Sequence, residues 1–185
     1  TREACHLFFG IAEATLPRAE GWHFLSAGRY LERADNVLRL LGVQYGEQTL
    51  PAFTDRVLED HRSRAFLRSV GAYEAYRKRQ YVALEPALIA DFLLLDETFP
   101  RSVRWSAVRL HESLNVLAHL NPRASGDPAR LAGWLSAQLQ YLPGVTQVIQ
   151  QERPGLSELV AAVGEIGDTI DKAYFSHGGP NPMDS

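Results

Sequence analysis

One stretch carries two guanidinium groups that can hold an anion, with a carboxylate between them. Arg29, Glu32 and Arg33 stand in Gly28-Arg-Tyr-Leu-Glu-Arg-Ala34 and, with Asn36, recur at offsets of three, four and seven. On a helix those offsets form one stripe. Two guanidinium groups within a turn offer fixed forks of N–H donors, which suit carboxylate or phosphate. The stripe reads in two ways: as the wet side of an amphipathic helix, or as a recognition face. A second polar group lies in Asp91-Phe-Leu-Leu-Leu-Asp-Glu-Thr-Phe-Pro-Arg-Ser-Val-Arg-Trp105. There an apolar helix ends at Asp96-Glu97, and a new one begins near Pro100-Arg101-Ser102. The free N–H groups of a helix start favour negative charge. Asp96 is placed to supply it or to pair with Arg101 or Arg104. One reading is a corner tied by a cap and an ion pair. The other joins Arg101 and Arg104 to the Arg29/Glu32/Arg33 stripe in a single polar cluster.

Other chemistries find less support. Glu3-x-x-His6 and Glu20-x-x-His23 have the spacing of helical di-iron ligands, but such a site needs carboxylates from two further helices. No pattern singles out Asp91, Glu165 or Asp168 for that role, so no metal and no cofactor is expected. Cys5 is the only thiol. It lies among apolar residues and reads as a small buried hydrophobe. One cysteine excludes an internal disulfide framework. There is no Gly-x-Ser-x-Gly elbow, no Walker A loop and no Gly-x-Gly-x-x-Gly turn. The set Tyr73, Tyr76, Tyr81 and Trp105 reads as core rather than a ligand box.

The elements that must position these residues are helices. The chain has 185 residues, 45% of them hydrophobic, and a net charge of −3. That suffices for one domain with a buried core and gives no basic surface for nucleic acid. No uninterrupted apolar run reaches the ~18 residues of a membrane span. No signal-peptide pattern is read, one cysteine is compatible with a reducing compartment, and a cytoplasmic location is expected. The chain opens at Thr1 with apolar periodicity under way by Leu7, so it is expected to be a piece of a longer protein.

Apolar spacing predicts helices over residues 2–15, 20–45, 54–82, 87–95, 99–120 and from 128, with a last helix opened by Pro154. In the second, Ala27, Leu31, Ala34, Leu38 and Leu41 form the buried seam. Thr54 is the expected cap of the third, with a possible break near His61–Arg64. Thr98 is the expected cap of the fifth, with Pro100 in its first turn. In the sixth, Leu131, Trp134, Leu135, Leu139 and Leu142 are expected inward, with a break at Pro143-Gly144. The last helix turns Leu156, Leu159, Val160, Val163, Ile166, Ile170, Ala173 and Tyr174 inward. The tail from His177 is expected to be disordered. No segment alternates like a strand. The fold class is therefore all-α, a mostly antiparallel bundle of about six to seven helices, in one domain over residues 1–176.

Gly28-Arg-Tyr-Leu-Glu-Arg-Ala34, followed by Phe92-Leu-Leu-Leu-Asp-Glu-Thr-Phe-Pro-Arg-Ser-Val103, resembles the alpha-E family, bacterial α-helical domains of unknown function with a Glu-Arg motif. The likeness extends to Ala72-Tyr-Glu-Ala-Tyr-Arg77 and Ala173-Tyr-Phe175. It covers nearly the whole chain, set against the C-terminal half or more of the family domain. The resemblance implies motif positions at Arg29, Glu32, Arg33, Asp96, Pro100, Arg101 and Ser102. It also implies company: circularly permuted ATP-grasp proteins encoded beside or fused to the domain, with transglutaminase-like cysteine peptidases and proteasome-like peptidases as frequent neighbours. The expected function is an accessory helical module of a peptide-ligase or peptide-processing system, binding the ligase or an anionic or peptide substrate through Arg29, Glu32, Arg33, Asp96, Arg101, Ser102 and Arg104. Two alternatives stand beside it. One is an enzyme in its own right, with Glu32 and Asp96 as acid and base. The other is a structural bundle that associates with copies of itself.

Overall fold

The computed structural model describes residues 2–45, 56–79, 84–122, 127–149 and 155–175. They form nine α-helices: α1 (Arg2–Thr15), α2 (Glu20–Tyr45), α3 (Arg56–Ser69), α4 (Tyr73–Arg79), α5 (Pro86–Leu95), α6 (Val103–Leu120), α7 (Pro128–Tyr141), α8 (Val145–Ile149) and α9 (Leu156–Ile170). A π-helical turn, Asp171–Phe175, continues α9. No strand occurs among the described residues. The all-α expectation holds. None of the described helices is long and apolar enough to cross a membrane.

Helices α2, α6, α7 and α9 form a closed ring of neighbours, α2 against α6, α6 against α7, α7 against α9 and α9 against α2. This is a four-helix bundle around an apolar core. The expected α2 seam is there: Ala27, Ala34, Leu38 and Leu41 are buried, with Leu31 half-buried. Its alanines let neighbouring helices approach closely. Facing them are Val103, Ala107, Leu110, Leu114 and Leu117 of α6 and Leu159, Val163 and Ile166 of α9, all buried. Between α6 and α7 a glycine makes room for a side chain. A Cβ on Gly133 would stand 2.8 Å from Cε1 of His111. His111 Nδ1 lies 2.9 Å from the Ala129 carbonyl and Nε2 lies 3.0 Å from the Asn115 amide nitrogen. A carbonyl only accepts, so Nδ1 carries the proton and Nε2 accepts from Asn115.

The short helices lie against this bundle. α5 is apolar nearly all round because it packs on α2, α3, α6 and α8. Asp91, the odd residue in its run, accepts the Val145 N–H at 3.1 Å and so caps the start of α8. α1 buries Ala12 and exposes Leu7, Phe8 and Ile11.

Several boundaries differ from the sequence reading. The third helix breaks after Ser69, not near His61–Arg64. Gly71 there has φ +66°, Ala72 N–H donates to Leu67 O at 2.8 Å and Gly71 N–H donates to Arg68 O at 3.1 Å. This pair of bonds is a Schellman stop with glycine in the left-handed position. α6 begins at Val103, capped by Ser102, and not near Phe99 under a Thr98 cap. The Asp96 carboxylate draws Thr98 and Phe99 into a turn of their own before the helix starts. Trp134, expected inward, is exposed, because the buried face of α7 runs through Ala132, Leu135 and Leu139 and leaves position 134 on its flank. The α7 start at Pro128 and the break at Pro143-Gly144 stand as read, and the structure adds Asp127 as the α7 cap. The expected Thr54 cap, the far end of that helix near Val82, Tyr81, Pro154 and the tail from His177 lie outside the described residues.

Candidate functional site

The side of α2 away from the α6 and α9 contacts forms one wall of a cleft of about 840 Å³. Leu25, Gly28, Arg29, Glu32, Arg33, Asn36 and Leu40 follow one another along that wall. At 1.5 Å per residue this ridge runs about 22 Å along the helix. Ser69 and Val70 at the end of α3, Arg101 in the corner before α6, Phe9 of α1, and Phe24 and Val37 of α2 complete the lining. Most of the lining is apolar, with the charges gathered near the middle of the α2 ridge.

Three guanidinium groups meet there. Arg33 Nη1 donates to the Pro100 carbonyl at 3.4 Å, and Arg101 Nη1 donates to the Val70 carbonyl at 3.4 Å. Both bonds are long. Among the described residues neither arginine pairs with a carboxylate. Arg29 has a weak ion pair, Nη1 to Glu13 at 3.5 Å, and its guanidinium lies over the Phe9 ring at 4.9 Å. Its Nε is buried and makes no hydrogen bond. An unmade bond at a buried N–H is costly, so the three groups hold more donor capacity than the protein uses. Burial first, and then the neighbouring charges of Arg29 and Arg101, lower the pKa of Arg33. Its positive charge therefore sits at a disadvantage that a bound anion would relieve. Among the described residues Glu32 is the one carboxylate lining the cleft, and it accepts a hydrogen bond from the Asn36 amide.

The turn that ends α3 positions Arg101. A Cβ on Gly71 would stand 3.3 Å from Arg101 Nη1. The glycine thus serves the left-handed turn and leaves space for the guanidinium that bonds to Val70 O.

The other residues expected at the site are placed elsewhere. Asp96 does not line the cleft. Its Oδ1 accepts from Thr98 N and Phe99 N, each at 2.8 Å, and from the Thr98 hydroxyl at 3.0 Å. Its Oδ2 pairs with Arg79 Nε at 3.0 Å. The expected partners Arg101 and Arg104 are not the ones it takes: Arg104 pairs with Glu97 at 2.9 Å. Ser102 is fully buried, accepts Trp105 N–H at 3.0 Å as the α6 cap, and donates to the Asp96 carbonyl at 2.5 Å. Asp96, Ser102 and Arg104 therefore build the corner that presents Arg101, and Glu32 and Asp96 do not form an acid–base pair in the cleft. The sequence reading missed the apolar walls Phe9, Leu25 and Val70. Leu25 and Leu40 recur along α2 at the stripe's own spacing, which is the signal that could have found part of them.

Of the spaced Glu-His pairs, Glu20 accepts from the Asn121 amide at 2.8 Å, and the Glu3 and His6 side chains, with that of Cys5, lie outside the described residues. Among the described residues no three of His, Cys, Asp and Glu come together in a way that could hold a metal ion. Tyr76 is core, edge-on to Phe92 at 5.4 Å. Tyr73 carries the Arg68 and Arg77 guanidiniums over its ring, and Trp105 carries that of Arg109.

Residues 1–175 match the model of the Alpha-E family, described as a predicted alpha-helical domain with a conserved ER motif. The match takes in most of the chain rather than one portion of it. No curated protein matches the chain, and no solved structure does. The chain belongs to the Alpha-E family.

Proposed function

We propose that this Alpha-E domain is an accessory binding module of a peptide-ligase or peptide-processing system. Its α2 cleft holds an anionic group of the ligase or of the substrate. The observation that carries this reading is the convergence of Arg29, Arg33 and Arg101 on one apolar-walled cleft with unused N–H donors. Among the described residues Arg33 and Arg101 lack the carboxylate partner that Arg79 and Arg104 have. The association with circularly permuted ATP-grasp proteins comes from the resemblance of the motifs. It supplies the partner class: an enzyme that activates a carboxylate with ATP and joins it to an amine.

The test is a pull-down of the protein against a circularly permuted ATP-grasp protein of the class the resemblance implies, taken from the same genome, with ATP turnover read in both states. The expected result is a stable complex with altered turnover, lost on Arg29→Ala and on Arg101→Ala while the melting temperature of each variant holds. Binding that survives both substitutions would remove the cleft from the interaction.

A further inference from the structure

The charge balance, shape and wall chemistry of the cleft narrow what it takes. Among the described residues three guanidinium charges face two carboxylates, Glu32 in the cleft and Glu13 against Arg29. One positive charge is left over. That suits a monoanion such as a carboxylate better than the dianion of a phosphate monoester. The α2 residues that line the cleft run from Leu25 to Leu40, about 22 Å of helix, far longer than a single anion needs and long enough for an extended chain at ~3.3 Å per residue. Apolar side chains line the cleft with the arginines, among them Leu25 of α2 and Val70 at the end of α3. Next to the arginines stands the Glu32–Asn36 pair, an acceptor and an amide. Those are the groups that bind the N–H and C=O of a peptide unit.

We infer that the cleft binds the carboxyl-terminal end of a peptide with an apolar last residue. Arg33 and Arg101 hold the terminal carboxylate, Glu32 and Asn36 bind the peptide unit that precedes it, and the last side chain lies on the apolar wall. The rest of the peptide follows the trough along α2. This inference rests on the reading of the cleft as an anion-binding site, and names its ligand.

The test is calorimetric titration of the full chain with three probes: N-acetyl-glycyl-alanyl-leucine with a free carboxyl group, the same peptide as its terminal amide, and inorganic phosphate. The free acid is expected to bind, with the amide at least tenfold weaker. Arg33→Gln is expected to weaken the free acid to the level of the amide. A second variant guards against loss of fold. Gly28 lines the trough and a Cβ there meets nothing within 4 Å. Gly28→Leu would fill the trough on a helix that gains propensity from the change, and is expected to abolish binding with the melting temperature kept or raised. Equal binding of acid and amide overturns the inference, as does free-acid binding untouched by Gly28→Leu. Phosphate bound in preference, and lost in Arg33→Gln, overturns it while leaving the anion site. No probe bound, with arginine-dependent capture of the ATP-grasp protein intact, overturns the peptide inference and leaves the partner reading. No probe and no capture overturns both.

Discussion

At the scale of single residues, the corner before α6 separates structural polar groups from those with capacity to spare. Asp96 accepts three hydrogen bonds on one oxygen and an arginine on the other. Ser102 both caps α6 and ties back to the Asp96 carbonyl. Removing a cap of this kind costs about 0.5–2 kcal/mol, and the carbonyl also loses its donor. Ser102→Ala is therefore expected to lower the unfolding free energy by about 2 kcal/mol, read as a lower urea midpoint with unchanged slope. Gly71 carries a different demand. Its φ of +66° is a left-handed position, where a residue with a Cβ loses roughly 1–2 kcal/mol. The added Cβ would also meet Arg101 Nη1 at 3.3 Å. Gly71→Ala is expected to destabilise by that amount in urea unfolding and, unlike Ser102→Ala, to weaken ligand binding directly by displacing the guanidinium. Equal stability of Gly71→Ala and the parent would show that the turn does not need glycine.

At the scale of elements, what was legible in the sequence was periodicity, and what was not was where the chain chooses to stop. The α2 seam and the α9 face follow from 3.6-residue spacing: the structure buries Ala27, Ala34, Leu38 and Leu41 of the first and Leu156, Leu159, Val163 and Ile166 of the second, and leaves Leu31, Val160, Ile170, Ala173 and Tyr174 half-buried. The stop after Ser69 was not seen because a single glycine followed by alanine carries no proline or polar cluster to mark it. Its signature is a pair of backbone bonds. The start of α6 was placed early because Thr98 and Pro100 look like a cap and a first-turn proline. The Asp96 carboxylate competes for the same N–H groups and wins, and the cap passes to Ser102. The elements also predict a pH response. Burial pushes the phenols of Tyr45 and Tyr76 above their ordinary range, with Tyr76 and Glu59 adding to the first and Glu85 to the second. In the unfolded chain these groups ionise near pH ~10, and in the folded chain they stay protonated to higher pH. The unfolded state then binds fewer protons, so stability is fully present below pH ~10 and falls as pH rises above it. Tyr45 donates to the Pro86 carbonyl at 3.1 Å, a bond its phenolate cannot make. Urea midpoints between pH 8 and 11 are expected to fall in the upper half of that range, and less steeply in Tyr45→Phe.

At the scale of the whole molecule, the bundle holds α2 as a rigid rail: one side is buried against α6 and α9, and another is left to line a cleft. The stripe Arg29, Glu32 and Arg33 was legible as a polar face, since offsets of three and four fix it to one side of a helix. That Arg101 joins it was legible only as one of two readings. Which arginine of the pair Arg101 and Arg104 reaches the cleft depends on the turn before α6, which spacing does not encode. The Phe9 and Val70 walls come from other helices, and nothing local in the α2 sequence could announce them.

The central claim is that the cleft arginines serve binding and not the fold, and the melting temperature of the double variant Arg33→Gln/Arg101→Gln tests it most directly. Each arginine makes one long bond to a carbonyl, and burial, followed by repulsion from Arg29 and Arg101, already disfavours the charge on Arg33. The account predicts a melting temperature equal to or above that of the parent, within the roughly 0.5 kcal/mol typical of substitutions outside the core, together with lost ligand and partner binding. A fall of several degrees with binding kept would contradict it and make these arginines part of the scaffold.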